Sequence, residues 1–318
     1  MDVIIVVHTE FGYIHNYEVV YDKNATNGVN KGVFNLIKLA DKYGAKITFA
    51  VMPEVVKSFP RDIEHEIGLH IHAGWEESRR NNLTYHVGDR YLREHCDQSL
   101  TSTLLREYPY HEQLEMIQVG SEYLEDSFGE KPTTFVAGRW AIDNRTIRAL
   151  VNSRMERDCS APAHSPPCHH DWSKLPRICM PYHPSENDYQ INGDLPLLIV
   201  PISQMLFAGN VNPEVAPKVG LSWLKACFYE YYMQSMPLFQ ICLHSPSMTD
   251  PYFLTVMDEF LKYISKYSNI NYVYSREVYE YPYVAPSTMI SPYILGLNKK
   301  ILKNTFESIK LKFQKKLL

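Results

Sequence analysis

The sequence has no long apolar run, and this limits where the protein is expected to work. The apolar run at the N-terminus, Val3 to Val7, is too short for the core of a signal peptide or for a membrane span, and no basic leader precedes it. No other segment of the 318 residues is long and apolar enough to cross a bilayer. The sequence therefore predicts a cytoplasmic protein.

An excess of one charge and paired cysteines are also lacking. The net charge of -4 gives no reason to expect a nucleic-acid partner. The six cysteines form no Cys-x-x-Cys pair, so free thiols are predicted. The content of 45% hydrophobic and 21% charged residues is typical of a globular protein, with one large α/β domain or two small ones. The 23 tyrosines suit a carbohydrate-binding groove and equally suit plain packing.

Strand and helix patterns alternate along the chain. Val3 to Val7 is a continuous β-branched run, typical of a strand buried on both faces in a parallel sheet. Further strands are predicted at 47–52, 66–72, 133–137, 197–202, 239–243 and 272–274, and helices at 31–43, 111–128, 144–153, 221–233 and 252–267. Residues 12–26 and 159–194 are predicted loops, and 75–110 an insertion near the active face. About seven β/α units predict a closed or nearly closed barrel.

Two histidines mark the centre of the predicted site. The segment 66–75 ends in His70 and His72, which share one face of the predicted strand because side chains alternate. Two imidazoles on one face can bind a single metal ion. Alternatively, they are polar residues on the wet face of a half-buried strand.

Other polar residues follow other strands of the predicted barrel. His8 and Glu10 end the first strand, Arg139 follows the strand at 133–137, and His244 ends the strand at 239–243. Catalytic residues of such barrels lie at the carboxyl ends of the strands. These residues are therefore expected to form one site.

The ordered motifs resemble the polysaccharide deacetylase family of metal-dependent carbohydrate esterases. The resemblance covers about residues 3–280, and the matching segments are His8-Thr9-Glu10, Glu66 to His72, Ala137-Gly138-Arg139-Trp140, Asp158-Cys159-Ser160, Pro201-Ile202-Ser203 and His244-Ser245. It implies a distorted (β/α) barrel over 1–280, followed by a C-terminal extension, 281–318. It also implies removal of an N-acetyl or related acyl group from an amino sugar of a glycan or glycan precursor.

The resemblance also implies roles for single residues. Glu10, His70 and His72 would hold a divalent metal, for which Zn²⁺ is best suited and Co²⁺, Ni²⁺ or Fe²⁺ are alternatives. His244 would act as general acid, and Arg139 would orient the catalytic carboxylate or bind substrate, or else form a structural salt bridge. The predicted substrate-binding residues are Trp75, Trp140, Asp158 and Trp172; packing is the alternative for Trp172.

His8 departs from the family pattern, in which an aspartate acts as base on the attacking water. A histidine there can be a base, since its pKa of about 6.5 suits neutral pH. It can also be a metal ligand, or a sign of lost activity. The second hypothesis for the whole chain is therefore a catalytically degenerate barrel that binds a glycan or a partner protein.

Two further features of the sequence each have two interpretations. His164, Cys168, His169 and His170 either bind a metal or contribute to the barrel site, or they are loop residues without a common target. The tail, 297–318, has seven lysines and one acidic residue, and its apolar residues follow helical spacing. It predicts an amphipathic helix that contacts an anionic membrane surface or packs on the barrel.

Overall fold

The computed structural model describes residues 1–16, 18–20, 22–73, 104–165, 167–205 and 209–286. Seven parallel strands form a nearly closed barrel: β1 (Asp2–Thr9), β2 (Thr48–Val51), β3 (Glu66–Ile71), β4 (Thr134–Ala137), β5 (Arg157–Pro162), β6 (Leu198–Ile202) and β7 (Leu238–His244). They lie in the order β7-β1-β2-β3-β4-β5-β6, and a short strand, Asn271–Tyr272, also pairs with β1. The predicted (β/α) barrel is confirmed.

The continuous apolar run of β1 is explained by its central position. Val3 to Val7 are at most 1% exposed, because one face packs on the helices and the other fills the barrel. The interior is built from aliphatic and small side chains of several strands: Ile4, Val6, Ala50, Val136, Cys159, Leu198 and Val200. The parallel register places His8 opposite His244 at the carboxyl ends of β1 and β7.

The barrel is open between β6 and β7, which are the two edge strands. Pro201 lies in β6, where an edge strand tolerates a residue without an N–H group. A side chain spans the gap near this point, since the backbone N–H of Gln240 donates to Oγ of Ser203, at 2.9 Å.

Five longer helices pack outside the strands: α1 (Gly32–Tyr43), α2 (Tyr110–Phe128), α3 (Asn144–Asn152), α4 (Leu221–Met233) and α5 (Pro251–Ile264). Gly44 ends α1 in the left-handed region at φ 61°, where its N–H donates to the Ala40 carbonyl. Asp143 begins α3, and its side chain accepts from the N–H groups of Arg145 and Thr146. None of the helices among the described residues is long and apolar enough to cross a membrane.

Two predicted loops contain strands. Tyr13–His15 pairs with Glu18–Val20 as a hairpin within 12–26, and the predicted loop 159–194 begins inside β5, a barrel strand that was not predicted from the sequence. Within the predicted insertion, residues 75–103 lie outside the described residues, and so does the predicted basic helix of 297–318. Tyr281 closes the N-terminal end of the barrel, and its hydroxyl donates to Oδ2 of Asp2 at 2.8 Å.

Candidate active site

A cavity of about 390 Å³ lies at the carboxyl ends of the strands. Five of the six predicted strand-end residues line it, and His70 lies directly beneath. The lining consists of His8, Glu10, Val19, His72, Arg139, Trp140, His169, His170, Glu214, His244, Pro246 and Ser247. The parallel arrangement thus brings together side chains that are up to 236 positions apart, from His8 to His244.

Glu10, His70 and His72 form a buried triad at the base of the cavity. Oε1 of Glu10 lies 3.0 Å from Nε2 of His70 and 3.3 Å from Nε2 of His72. One ligand atom from each residue lies within 4.8 Å of the other two, so small side-chain movements would let a single metal ion bind all three. Burial alone would raise the pKa of Glu10, but His72 and His70 hold it well below its usual value. Glu10 is therefore a carboxylate at neutral pH.

The proton positions in this triad fit a bound cation. Nδ1 of His70 lies 2.9 Å from the Val136 carbonyl, which can only accept, so Nδ1 carries the hydrogen. In the neutral ring, Nε2 then presents a lone pair toward the Glu10 carboxylate. Two lone-pair donors in a buried position repel each other, and a cation between them satisfies both. Two imidazoles and one carboxylate are ligands that Zn²⁺ prefers.

Gly138 supports the triad from behind. A Cβ atom at this position would lie 2.6 Å from Nδ1 and 2.7 Å from Cγ of His72, closer than real Cβ contacts allow. The ring of His72 therefore packs directly on the backbone that follows β4. This contact explains the glycine in the segment Ala137 to Trp140.

Replacing Gly138 by alanine is expected to displace the His72 ring. We expect the affinity for Zn²⁺ to fall at least about 10-fold, and overpacking to cost about 1–3 kcal/mol of the free energy of unfolding. Chelator competition and urea unfolding measure the two effects. Gly129→Ala is the control, because φ is 79° there but nothing lies within 4 Å of an added Cβ. It should cost about 1–2 kcal/mol and leave Zn²⁺ affinity unchanged. Equal affinities in both variants would contradict the prediction.

Arg139 and Trp140 form one wall of the cavity in a strained turn. Both have positive φ, at 53° and 55°, which is unusual for residues with a Cβ. Two ring N–H groups secure the turn from below: Nδ1 of His170 donates to the Arg139 carbonyl, and Nε1 of Trp172 to the Trp140 carbonyl, both at 3.0 Å. The loop between β5 and β6, residues 163–197, thus stabilises the strained turn.

His244 stands on the opposite wall and is oriented by Glu214. Nδ1 of His244 donates to the Glu214 carboxylate at 2.9 Å, and the backbone N–H of His244 donates to it at 2.8 Å. Ser247 and Asn212 also donate to Glu214, at 2.6 and 3.0 Å. Burial alone would raise the pKa of Glu214, but His244 and these hydrogen bonds lower it. Glu214 thus fixes the orientation of the His244 ring through Nδ1.

Glu214 was not predicted from the sequence. It follows no strand end, and lies in the turn Pro213–Val215 that leads toward α4. A contact between β7 and the segment before this turn, where the N–H of Cys242 donates to the Val211 carbonyl at 3.1 Å, brings the two residues together. An isolated Asn-Pro-Glu segment gives no signal for such a partner.

His8 lies between two other imidazoles and is almost completely buried. Its ring centroid is 4.7 Å from that of His70 and 4.6 Å from that of His244. Nε2 contacts Sγ of Cys242 at 3.4 Å. Burial lowers the pKa of His8 well below its usual value, and His244 and His70 lower it further. The ring is therefore neutral at pH 7.

Asp158 and Trp172 were predicted to bind substrate, but the structure places both below the cavity. Each is 0% exposed, so neither side chain can touch a substrate there. Asp158 accepts hydrogen bonds from the N–H and hydroxyl of Ser160, and Trp172 supports Trp140. Both roles are structural. Trp140 does line the cavity, and Trp75 lies outside the described residues.

The predicted cluster of His164, Cys168, His169 and His170 is divided between two environments. His169 and His170 line the cavity, while Nδ1 of His164 donates to the Leu175 carbonyl at 3.2 Å. Cys168 lies 3.6 Å from Nδ1 of His170. The loop thus contributes to the barrel site through two of its histidines.

Solved structures share this architecture. A protein from Mycobacterium smegmatis assigned as a polysaccharide deacetylase matches 92% of this chain and 94% of its own, with a TM-score of 0.52 and 15% identity. One from Pseudomonas aeruginosa PAO1 with the same assignment matches 87% and 88%, with a TM-score of 0.52 and 14% identity. PuuE allantoinase matches 86% and 89%, with a TM-score of 0.54 and 14% identity. No family model and no curated protein matches the sequence. The chain has the nearly closed (β/α) barrel fold of the polysaccharide deacetylases.

Proposed function

We propose that this protein is a metal-dependent amide hydrolase that removes an N-acetyl group from an amino sugar. The observation that carries the proposal is the pairing of a buried Glu10–His70–His72 triad with a Glu214-oriented His244 across one cavity. A metal triad at the base of a cavity and a histidine acid on its wall are the two parts that amide hydrolysis needs. The fold shared with polysaccharide deacetylases points to an acetylated amino sugar as substrate.

The triad would hold the cation, with Zn²⁺ the best-suited ion. When bound, the ion supplies a Lewis acid that polarises the carbonyl of the scissile amide. Glu10, kept ionised by its two histidines, contributes the negative charge of the ligand set. The Val136 carbonyl holds His70 in one tautomer, so Nε2 is the nitrogen that would bind the ion.

His244 would protonate the departing amine. Glu214 fixes its Nδ1–H, which keeps Nε2 directed to the cavity and stabilises the charged ring. Arg139 and Trp140 would bind the sugar along the opposite wall, and the neutral ring of His8 would accept a proton from the attacking water.

An assay of amine release tests the proposal. The full chain, supplied with Zn²⁺ or Co²⁺, is incubated with N-acetylated chito-oligosaccharides, nucleotide-linked N-acetylhexosamines and allantoin, the last because one similar structure is an allantoinase. We expect free amine and acetate from an acetylated sugar. His244→Gln is expected to lower kcat about 10²- to 10⁴-fold and to leave the metal ion of the Glu10–His70–His72 triad in place. His111→Ala, on the exposed side of α2, is the control.

The alternative is a degenerate barrel, which the histidine at position 8 favours. In that case the chain binds an acetylated glycan, measured by calorimetry, but releases no amine with any metal. His8→Asp then distinguishes a missing base from a missing substrate, because amine release in that variant alone would assign the loss to position 8. Absence of both binding and turnover contradicts the amino-sugar proposal itself.

A further inference from the structure

The cavity contains a second group of possible metal ligands. His8, Glu10 and His244 each offer an atom within 4.8 Å of the other two. Among the described residues, the strand-end ligands form two triads that share Glu10; they do not form one four-residue shell. His8 therefore does not complete the set of Glu10, His70 and His72. A carboxylate has two oxygens and can serve both groups.

We propose that this second triad is a distinct site for a divalent transition-metal cation, which blocks the cavity when occupied. Ligands of one such ion lie about 2.0–2.2 Å from it and therefore at most roughly 4 Å from one another. Small side-chain movements close the triad to this spacing. Two imidazoles with one carboxylate select Zn²⁺, Co²⁺ or Ni²⁺ over Mg²⁺ and Ca²⁺.

Both histidines of the second triad are already fixed by outer contacts. Glu214 holds Nδ1 of His244, and a carboxylate behind a histidine is the usual support for a metal ligand. Sγ of Cys242 contacts Nε2 of His8 at 3.4 Å. His8 is 2% exposed, so its ring has little freedom to turn away. The ligands need little ordering on binding.

The shared carboxylate sets the relation between the two sites. Metal pairs bridged in this way lie about 3.5–4 Å apart in hydrolases. This inference rests on the proposed function in one respect: an ion on Nε2 of His244 takes the nitrogen that would protonate the leaving amine. Excess Zn²⁺ is therefore expected to inhibit amine release after the first equivalent has activated it.

Stoichiometry tests the second site independently of activity. The full chain, freed of metal, is titrated with Zn²⁺ against a chromophoric chelator and with Co²⁺ followed by its visible absorption. We expect two equivalents for the native chain and for His111→Ala. We expect one equivalent for His8→Ala and for His244→Gln, with Co²⁺ absorption changed only in the second step. His244 is 30% exposed, so its variant is informative even where His8→Ala does not fold.

Two outcomes overturn the proposal. One equivalent in the native chain excludes a second site, and two equivalents in folded His244→Gln place the second ion elsewhere. Neither result depends on the amino-sugar proposal, whose own failure appears as absent amine release at one equivalent of metal.

Discussion

Replacing His70 by alanine is expected to remove the metal at the base of the cavity. His70 is 0% exposed and supplies Nε2 to the triad, and its other nitrogen is fixed by the Val136 carbonyl. Outer partners of metal ligands alone are worth about 10- to 100-fold in affinity, so loss of a direct ligand should cost at least about 100-fold. Amine release should fall to background. Elemental mass spectrometry on protein purified without a histidine tag measures the metal directly.

Two variants make this result specific. His111→Ala removes an exposed histidine and should keep both metal and turnover, which excludes a general effect of histidine count. His70→Gln keeps a polar side chain of similar length and should still lose most of the affinity, because an amide is a poor ligand for Zn²⁺. A metal content in His70→Ala equal to that of the native chain would mean that the triad is not a metal site.

The fold could be predicted because its main signals are local. The β-branched run Val3 to Val7 has no amphipathic alternation, and only a strand covered on both faces has that pattern. Gly44 and Gly129 mark the ends of α1 and α2, where both adopt positive φ. The hairpin Tyr13–His15 with Glu18–Val20 was missed because three-residue strands carry too few residues to show a period.

The site could be predicted only where residues directly follow strands. Parallel strands carry their carboxyl ends to one edge, which places His8, Glu10, His72 and His244 around one cavity. Glu214 belongs to a turn, and its role depends on a tertiary contact that no spacing reveals. Asp158 was predicted to face the cavity, but its neighbour Cys159 is the residue that packs into the barrel interior. The register of β5 is also irregular between Asp158 and Ala161, so strand alternation does not predict which side chains face the cavity.

Replacing Asp158 by asparagine is expected to stabilise the protein at neutral pH. Burial raises the pKa of the Asp158 carboxyl to about 7, although hydrogen bonds from Ser160 act in the opposite direction. The unfolded chain releases this proton near pH 3.9, so between about pH 4 and pH 7 the folded state binds more protons and its stability falls as pH rises. Each pKa unit is worth about 1.4 kcal/mol, which makes the total loss about 4 kcal/mol by pH 8.

Asparagine keeps an oxygen for the Ser160 hydrogen bonds but does not ionise, so the difference in free energy of unfolding between variant and native chain should grow from pH 4.5 to pH 8. Urea unfolding at each pH measures this difference, in which the contributions of other groups cancel. Asp171→Asn should instead destabilise the protein, because hydrogen bonds from Ser173 favour the Asp171 carboxylate and lower its pKa. Its carboxylate stabilises the fold above the unfolded pKa and loses that effect as pH falls. A pH-independent difference for Asp158→Asn would show that this buried carboxyl is ionised throughout the range, which would require a cationic partner close to Asp158.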